Sequence, residues 1–597
     1  MPTDTPAPSD RRRFVAAVLG GWLFTVLILL AISAPDIAAL RFPDADDAMR
    51  MIEVRDWLAG QGWFDVAQHR LNGGDFPMHW SRLVDIPLAA TILALRPLLG
   101  AGAADHVAAV LVPMLTLLAT MALIASITGR VAGMAPVPLA VLMVAFAPPL
   151  LAQMRPLRID HHGWQIVLTL VAVRALLAAP SWRTGALAGA ALGALLTISL
   201  EGLPIAAAVA GIAVLVWAWR PVDARAPALA AALFVTAALL QAATRGPAMW
   251  APACDAMAPG WIAALGGAAA GVLLALAVAR LGLAARLAAL ALGGALAAGA
   301  VAWLSPACLS GPFATLPPRV FRYWYVLVLE GRPLWEQEID WAAVTIGLPV
   351  MGLIGAVRAR ALTVDPDARA RWTLLIALQG AAFAIAIMVN RAGGTANALA
   401  VPGAATLLLA LLTRARAIEH AGPRIMATVG AFLLASPGQI ASLLTLVAGT
   451  KGAAAEAGLA SHRRPCANAA DIATVGALPT ATLFAPIDAT PALLAATPHR
   501  AIAGGYHRGA AAIDIVIHGF TAAPGDARAI VLATRAEYLV ACPGMNEMEL
   551  YRTVAPNGLW ARLERGERIA WLRPVPVKGP ALAWRVIRPL QGPPANP

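Results

Sequence analysis

Apolar runs of roughly 17–25 residues recur along most of this chain, separated by short breaks that carry arginine. A backbone in hydrocarbon has to satisfy its own polar groups, so runs of that length leave two solutions, helices or a closed barrel. Barrel strands alternate apolar and polar residues with period two, whereas these runs are continuous and rich in alanine and leucine. The chain therefore reads as a polytopic α-helical membrane protein. Its composition agrees: 59% of the 597 residues are hydrophobic and 13% charged, against about 25% charged in soluble domains.

About thirteen spans follow from the runs. The first covers 14–33, and others fall near 105–128, 133–151, 164–179, 184–200, 204–219 and 226–244. The rest lie near 260–280, 283–303, 341–357, 372–390, 396–413 and 425–447. Arg11, Arg12 and Arg13 precede the first run, which is longer than a signal-peptide core and is followed by no nearby small-x-small cleavage site. It reads as an uncleaved helix with a cytoplasmic N-terminus. The breaks at Arg130, Arg183, Arg220/Arg225, Arg280/Arg286, Arg358–Arg371 and Arg414–Arg424 then all fall inside, as the positive-inside bias requires. Residues 34–104, 152–163, 245–259, 304–340, 390–395 and those after 448 fall outside. Arg155 and Arg158 break the bias on the outer side, which singles them out. The net charge of +12 follows from this topology; no basic face interleaved with aromatic residues offers a nucleic-acid surface.

The expected organisation is a transmembrane domain over 1–447, with outer loops 34–104 and 304–340, followed by a periplasmic domain over 448–597. In that tail the apolar runs shorten to strand length, as in Ala481–Ile487, Ile513–Ile517 and Tyr538–Cys542, which predicts a small α/β fold. All four cysteines fall on the outer side. An oxidising compartment permits the pairs Cys254–Cys308 and Cys466–Cys542, and four unpaired thiols are the other reading.

The polar clusters are confined to the same face. Asp44, Asp46 and Asp47 follow the first helix, and His79 closes the same outer segment. Asp160, His161 and His162 precede the fourth span, Glu330 lies in the loop before the tenth, and Arg391 follows the eleventh. Each cluster alone has a plain reading: Asp44 or Asp160 as a helix cap, Arg391 as a snorkelling interfacial side chain. Together, carboxylates and imidazoles from separate loops suit a divalent ion such as Mg or Mn, and a guanidinium beside them suits a phosphate. Glu201, in Ser199-Leu-Glu201-Gly-Leu-Pro204, is a second-tier candidate, as is His79.

Several of these residues resemble one family. Phe42-Pro-Asp44-Ala-Asp-Asp-Ala-Met-Arg50-Met-Ile-Glu53 resembles the first outer loop of oligosaccharyltransferase catalytic subunits, and Pro77-Met-His79-Trp80 through Asp85 resembles that loop's end. Asp160-His161-His162 is similar to the Asp-His-His of the archaeal members, and Leu327 through Pro333, with Glu330, to the end of the fifth outer loop. Arg391, followed by Ala398-Leu-Ala-Val-Pro402, resembles the helix that binds the donor's pyrophosphate, with a longer spacing here. The resemblance implies a GT-C fold and a metal held by Asp44, Asp160, His162 and Glu330. It also implies acceptor activation by Asp44 and donor phosphate bound by Arg391. Arg155 and Arg158, singled out by their charge on the outer side, are further phosphate candidates. The family's Trp-Trp-Asp-Tyr-Gly motif is absent from the tail, where only Gly505-Tyr506-His507-Arg508 stands out. That argues against asparagine-linked transfer to sequons.

The expectation is a metal-dependent glycosyltransferase of a bacterial inner membrane. It would take sugar from a polyprenyl-linked saccharide donor to a lipid, glycan or protein acceptor, with Asp46 and Asp47 helping to position that acceptor. The alternatives are a transporter or flippase of lipid-linked saccharide, and a non-catalytic membrane assembly subunit. A transporter would place polar groups near the membrane midplane and show repeats.

Overall fold

The computed structural model of the chain describes residues 8–221, 223–438, 440–441 and 474–588. Among them, nine helices are long and apolar enough to cross a membrane by length and composition, and three shorter apolar helices accompany them. The architecture is polytopic and helical, with a small mixed-sheet domain near the C-terminus.

Most expected spans are single helices, including Pro8–Ala38, Ala101–Ala132, Arg225–Arg245 and Gly393–Arg416. The stretch 133–151 differs, being divided into Val137–Val144 and Pro148–Leu151. Pro148 and Pro149 lack the N–H groups that would continue the ladder, and Ala147 before them is held off helical geometry at φ −113°, ψ 76°. A further helix, Asp85–Leu99, lies in the expected outer segment, its apolar run too short to read as a span. The last expected span begins with Ala421–Ala435, and residues 442–447 lie outside the described set.

Exposed tryptophans mark the helix ends. Trp182 and Trp219, beside Arg183 and Arg220, are 60% and 69% exposed; Trp250 and Trp303, at the opposite ends, are 71% and 85% exposed. Indole rings with an apolar body and a polar edge gather at both faces of a bilayer, so the two sets fit its two interfaces. Cys254 and Cys308 form a disulfide that clasps the base of the hairpin Pro259–Leu304. Cys542 is also disulfide-bonded, while Cys466 lies outside the described residues.

Close helix crossings come from glycine at four-residue spacing. A Cβ on Gly185, Gly189 or Gly193 would lie 2.0, 2.1 or 2.7 Å from the carbonyl oxygens of Arg225, Leu229 and Leu233. Without bulk on that stripe the helices Trp182–Ile198 and Arg225–Arg245 pack backbone to backbone, where dispersion replaces the hydrophobic drive that lipid removes. Gly355 against Gly403 does the same for Ile339–Leu362 and Gly393–Arg416.

The described residues fall into two compact units. The first draws on 1–33, 80–312 and 329–451, the second on 34–79, 313–328 and 452–597. Two segments expected on the outer side therefore belong with the tail. In the second unit, β1 (Ala67–Gln68) and β2 (Phe76–Pro77) form an antiparallel pair. The tail adds β3 (Thr482–Phe484), β4 (Arg500–Ala501), β5 (Tyr538–Ala541), β6 (Leu572–Val575) and β7 (Leu582–Val586), in the order β4-β3-β5-β7-β6. The pairs β3–β4 and β3–β5 are parallel, and β5–β7 and β6–β7 antiparallel. Arg55 donates to the Ala495 carbonyl at 2.9 Å, and Arg70 to those of Leu494 and Thr497, both at 2.9 Å. These bonds seat the acidic helix Ala45–Leu58 and its loop on the tail.

The strand expected at Ile513–Ile517 is instead part of the helix Ala510–Thr521. Its buried residues Ala512, Ile513, Val516, Ile517 and Phe520 follow helical spacing. A short β-branched run reads equally well either way, and packing decided it.

Candidate active site

In the first unit, four short turns at helix ends bring their charges together. Asp160 and His161 precede the helix His162–Leu176, which begins with the second imidazole. Glu201 sits in the turn Leu200–Gly202 between the helices Trp182–Ile198 and Leu203–Trp219. Its N–H donates to the Ser199 hydroxyl at 3.3 Å, and a Cβ on Gly202 would lie 2.2 Å from Leu195 Cδ2, so the turn is tightly seated. Glu330 lies in the turn Leu329–Gly331, and Arg391 in Asn390–Ala392, just before Gly393–Arg416. The last two turns are tied together by Asn390 N–H, which donates to the Arg332 carbonyl at 3.1 Å.

The side chains interlock. His161 Nδ1 meets Asp160 Oδ1 at 2.7 Å, and its Nε2 meets Glu201 Oε2 at 3.2 Å. His162 Nε2 lies 3.5 Å from Asp160 Oδ2 and 3.9 Å from Glu330 Oε2. Arg391 pairs with Glu201 through Nη1, and its Nη2 lies 3.2 Å from Glu330 Oε1. Asp160, His161 and His162 are buried, whereas Glu201 and Glu330 are about one-third open to solvent. Burial works against the charged form of His161, but the Asp160 carboxylate and then Glu201 prevail, holding its pKa up at about 10.

The donor set fits a divalent ion. One ligand atom from each of Asp160, His161 and His162 lies within 4.8 Å of the others, and carboxylate with imidazole is ordinary company for such ions. The loop that aims these residues is strained, since Leu157 has φ +69° while its N–H donates to the Ala109 carbonyl at 3.0 Å. A left-handed leucine costs energy that the surrounding fold must absorb.

His162, Glu201 and Arg391 also line a narrow cleft. Its walls include Ile166, Leu195, Ile205, Ile385 and Val389, with Gln153, Gln165 and Thr395 as polar interruptions. A second, smaller indentation is lined by Asp160 and buried Arg158; Arg155 is exposed.

Solved structures provide the comparison. Oligosaccharyltransferase AglB from Archaeoglobus fulgidus, in complex with an inhibitory peptide and a dolichol-phosphate, superposes with a TM-score of 0.62. That match has 14% identity and covers 88% of this chain and 69% of the other. The Archaeoglobus fulgidus oligosaccharyltransferase tethered to an acceptor peptide containing the NVT sequon gives a TM-score of 0.59 at 14% identity, covering 92% and 71%. The fold is GT-C-like. No family model matches the sequence, and no curated protein matches it.

Within this GT-C-like fold the expected site residues divide. Asp160, His162, Glu330 and Arg391 converge in the first unit, joined by His161 and Glu201. Glu201, a second-tier candidate from sequence, is joined to them through His161 and Arg391; a glutamate inside an apolar run was its signal. Asp44, Asp46, Asp47 and His79 belong to the second unit. There Asp44 caps the helix Ala45–Leu58, accepting from Asp46 N–H at 3.1 Å. Asp46 is half-buried, and Asp47 is buried with Arg50 and Glu53 on that helix.

Proposed function

We propose that this chain is a membrane glycosyltransferase that moves a sugar or oligosaccharide from a polyprenyl-phosphate or pyrophosphate donor to an acceptor on the periplasmic side. The observation that carries the reading is the convergence of His162, Glu201, Glu330 and Arg391 beside an apolar-walled cleft. Charges at one end and the apolar side chains of Ile205, Ile385 and Val389 beside them match the two halves of an amphiphile, head group and isoprenoid. The similar structures, one in complex with a dolichol-phosphate and one tethered to an acceptor peptide, support the same chemistry. The Cys254–Cys308 disulfide supports an oxidising compartment on the site's side of the membrane.

In this reading Arg391 binds donor phosphate oxygens, exchanging part of its pairing with Glu201 and Glu330 for the new anion. Asp160 and His162, with Glu330, would hold a divalent ion, which when bound neutralises charge on the leaving phosphate. Asp44 takes the proton from the acceptor as its nucleophilic atom bonds to the anomeric carbon. The bond from that carbon to the phosphate oxygen breaks, and the phosphate leaves with the electron pair. Glu201 orients both His161 and Arg391 throughout.

The decisive assay follows radiolabelled sugar on a polyprenyl-phosphate carrier, using the purified full chain with and without chelator. Release of label that EDTA suppresses and Mg or Mn restores is the expected result. Label that stays on the carrier under all conditions would remove the enzyme reading. Movement of intact carrier across vesicles without release would favour a flippase.

A further inference from the structure

We infer that the second unit carries a saccharide-binding platform, formed by Phe313, Phe321, Tyr325, His79 and His507, which holds the acceptor as a sugar ring. Calling the ligand an acceptor rests on the proposed function; the binding itself does not.

The platform is assembled from three segments distant in sequence. Phe313 and Tyr325 lie 4.7 Å apart at their ring centroids, and Phe321 and Tyr325 5.2 Å apart. His507 stands edge-on to Phe313 at 5.2 Å and to His79 at 5.2 Å. These rings are held from behind. Arg319 binds both carboxylate oxygens of Asp514 at 3.0 Å, and Arg508 donates to the Pro77 carbonyl at 3.1 Å. Trp324 lies so close to Gly505 that a Cβ there would sit 3.3 Å from its indole nitrogen.

Core packing does not account for the cluster. The core aromatics of this unit, Phe484 and Phe520, are fully buried and pair at 5.3 Å. By contrast Phe321 is 45% exposed, and Phe313, Tyr325, His79 and His507 are each half-buried. Partly exposed aromatic rings beside imidazoles match a pyranose, whose C–H face is apolar and whose rim carries hydroxyls. An extended peptide would call for a strand edge of backbone donors and acceptors. Rings from three separate segments offer side chains instead.

The platform also adjoins the acidic knot. Tyr506, next to His507 in the chain, directs its hydroxyl to the Ala45 carbonyl at 3.4 Å, one residue from Asp44. Its ring lies 5.9 Å from that of Phe76, whose chain leads through β2 to His79. One piece of scaffold thus carries both the candidate base and the rings.

The test is binding of the detergent-solubilised full chain to a printed array of microbial glycans, with sequon peptides printed alongside. Retention on glycans and not on peptides is expected. Tyr325→Ala, His507→Ala and the exposed Phe321→Ala should each lower glycan retention at least tenfold while the chain stays monodisperse. Arg391→Ala should leave retention unchanged. No glycan retention, retention on peptides instead, or retention indifferent to all three platform variants would overturn the inference. Glycan binding without donor turnover in the label-release assay would sink the transferase reading and keep the platform. Donor turnover without glycan binding would do the reverse.

Discussion

Asp160 and Glu547 are both carboxylates taken almost wholly out of solvent, yet they keep different company. Asp160 faces two imidazoles in a web that includes two more carboxylates and a guanidinium. Glu547, in the tail helix Asn546–Val554, accepts from Ile487 N–H at 2.8 Å, Asp488 N–H at 2.8 Å and the Tyr551 hydroxyl at 2.6 Å. The first arrangement consists of chargeable groups, able to take up protons or an ion. The second consists of neutral donors that pin a loop after β3. A buried carboxylate signals chemistry when its partners are themselves chargeable and open to a cleft; otherwise it is a fastener.

That contrast can be broken most sharply at Asp160. Asp160→Ala should lower donor turnover on the order of a hundredfold or more, because it removes a candidate ligand and the carboxylate that orients His161. Near-normal release of labelled sugar by a correctly inserted variant would erase the distinction.

Asp44 comes next, since it caps a helix and is also the proposed base. Asp44→Asn keeps a capping oxygen for Asp46 N–H but loses the base, so transfer should fail while stability holds. Asp44→Ala should lose transfer and also about 1 kcal/mol of local stability. Equal activity in Asp44→Asn and the parent would reduce Asp44 to a cap.

Glu547 supplies a pH test. Burial, then the nearby Asp488 charge, outweigh its three donors and push its pKa to about 8, above the unfolded value of 4.5. The folded state therefore binds the proton more tightly. The stabilisation is fully present below the unfolded value and is lost as pH rises through about 8. Amide protection of Ile487 and Asp488, corrected for intrinsic exchange, should weaken over that window in the parent and stay level in Glu547→Gln. A parent whose protection rises with pH would reverse the assignment.

The smallest effect is expected from Tyr551→Phe, which deletes one donor to Glu547 at a cost of about 0.5–1.5 kcal/mol. Because that donor favours the ionised form, its loss should push the Glu547 pKa further upward. A titration unchanged by the substitution would mean that the hydroxyl contributes nothing there.

The spans were legible because a bilayer imposes length and hydropathy directly on sequence. Where local chemistry intervened they were less so, as at Pro148-Pro149 and in the short run of Asp85–Leu99. At Ile513–Ile517 the residues alone fit two periods, and the sheet beside them chose the helix. The site was legible where unusual residues stood together, as in Asp160-His161-His162. Glu201 was harder to rank, since its weight comes from His161 and Arg391, 40 and 190 residues away. Nothing near Glu547 in sequence announces its burial. Tyr551 stands one helical turn away, but Ile487 and Asp488 become its partners only once the tail has folded.

Asp160, Glu201, Glu330 and Arg391 all stand on joints between helices rather than along their shafts. A helix that must suit a thicker or thinner bilayer can gain or lose a turn at its far end without moving a joint. The helices can therefore be retailored to new lipids over evolutionary time while the chemistry is inherited intact.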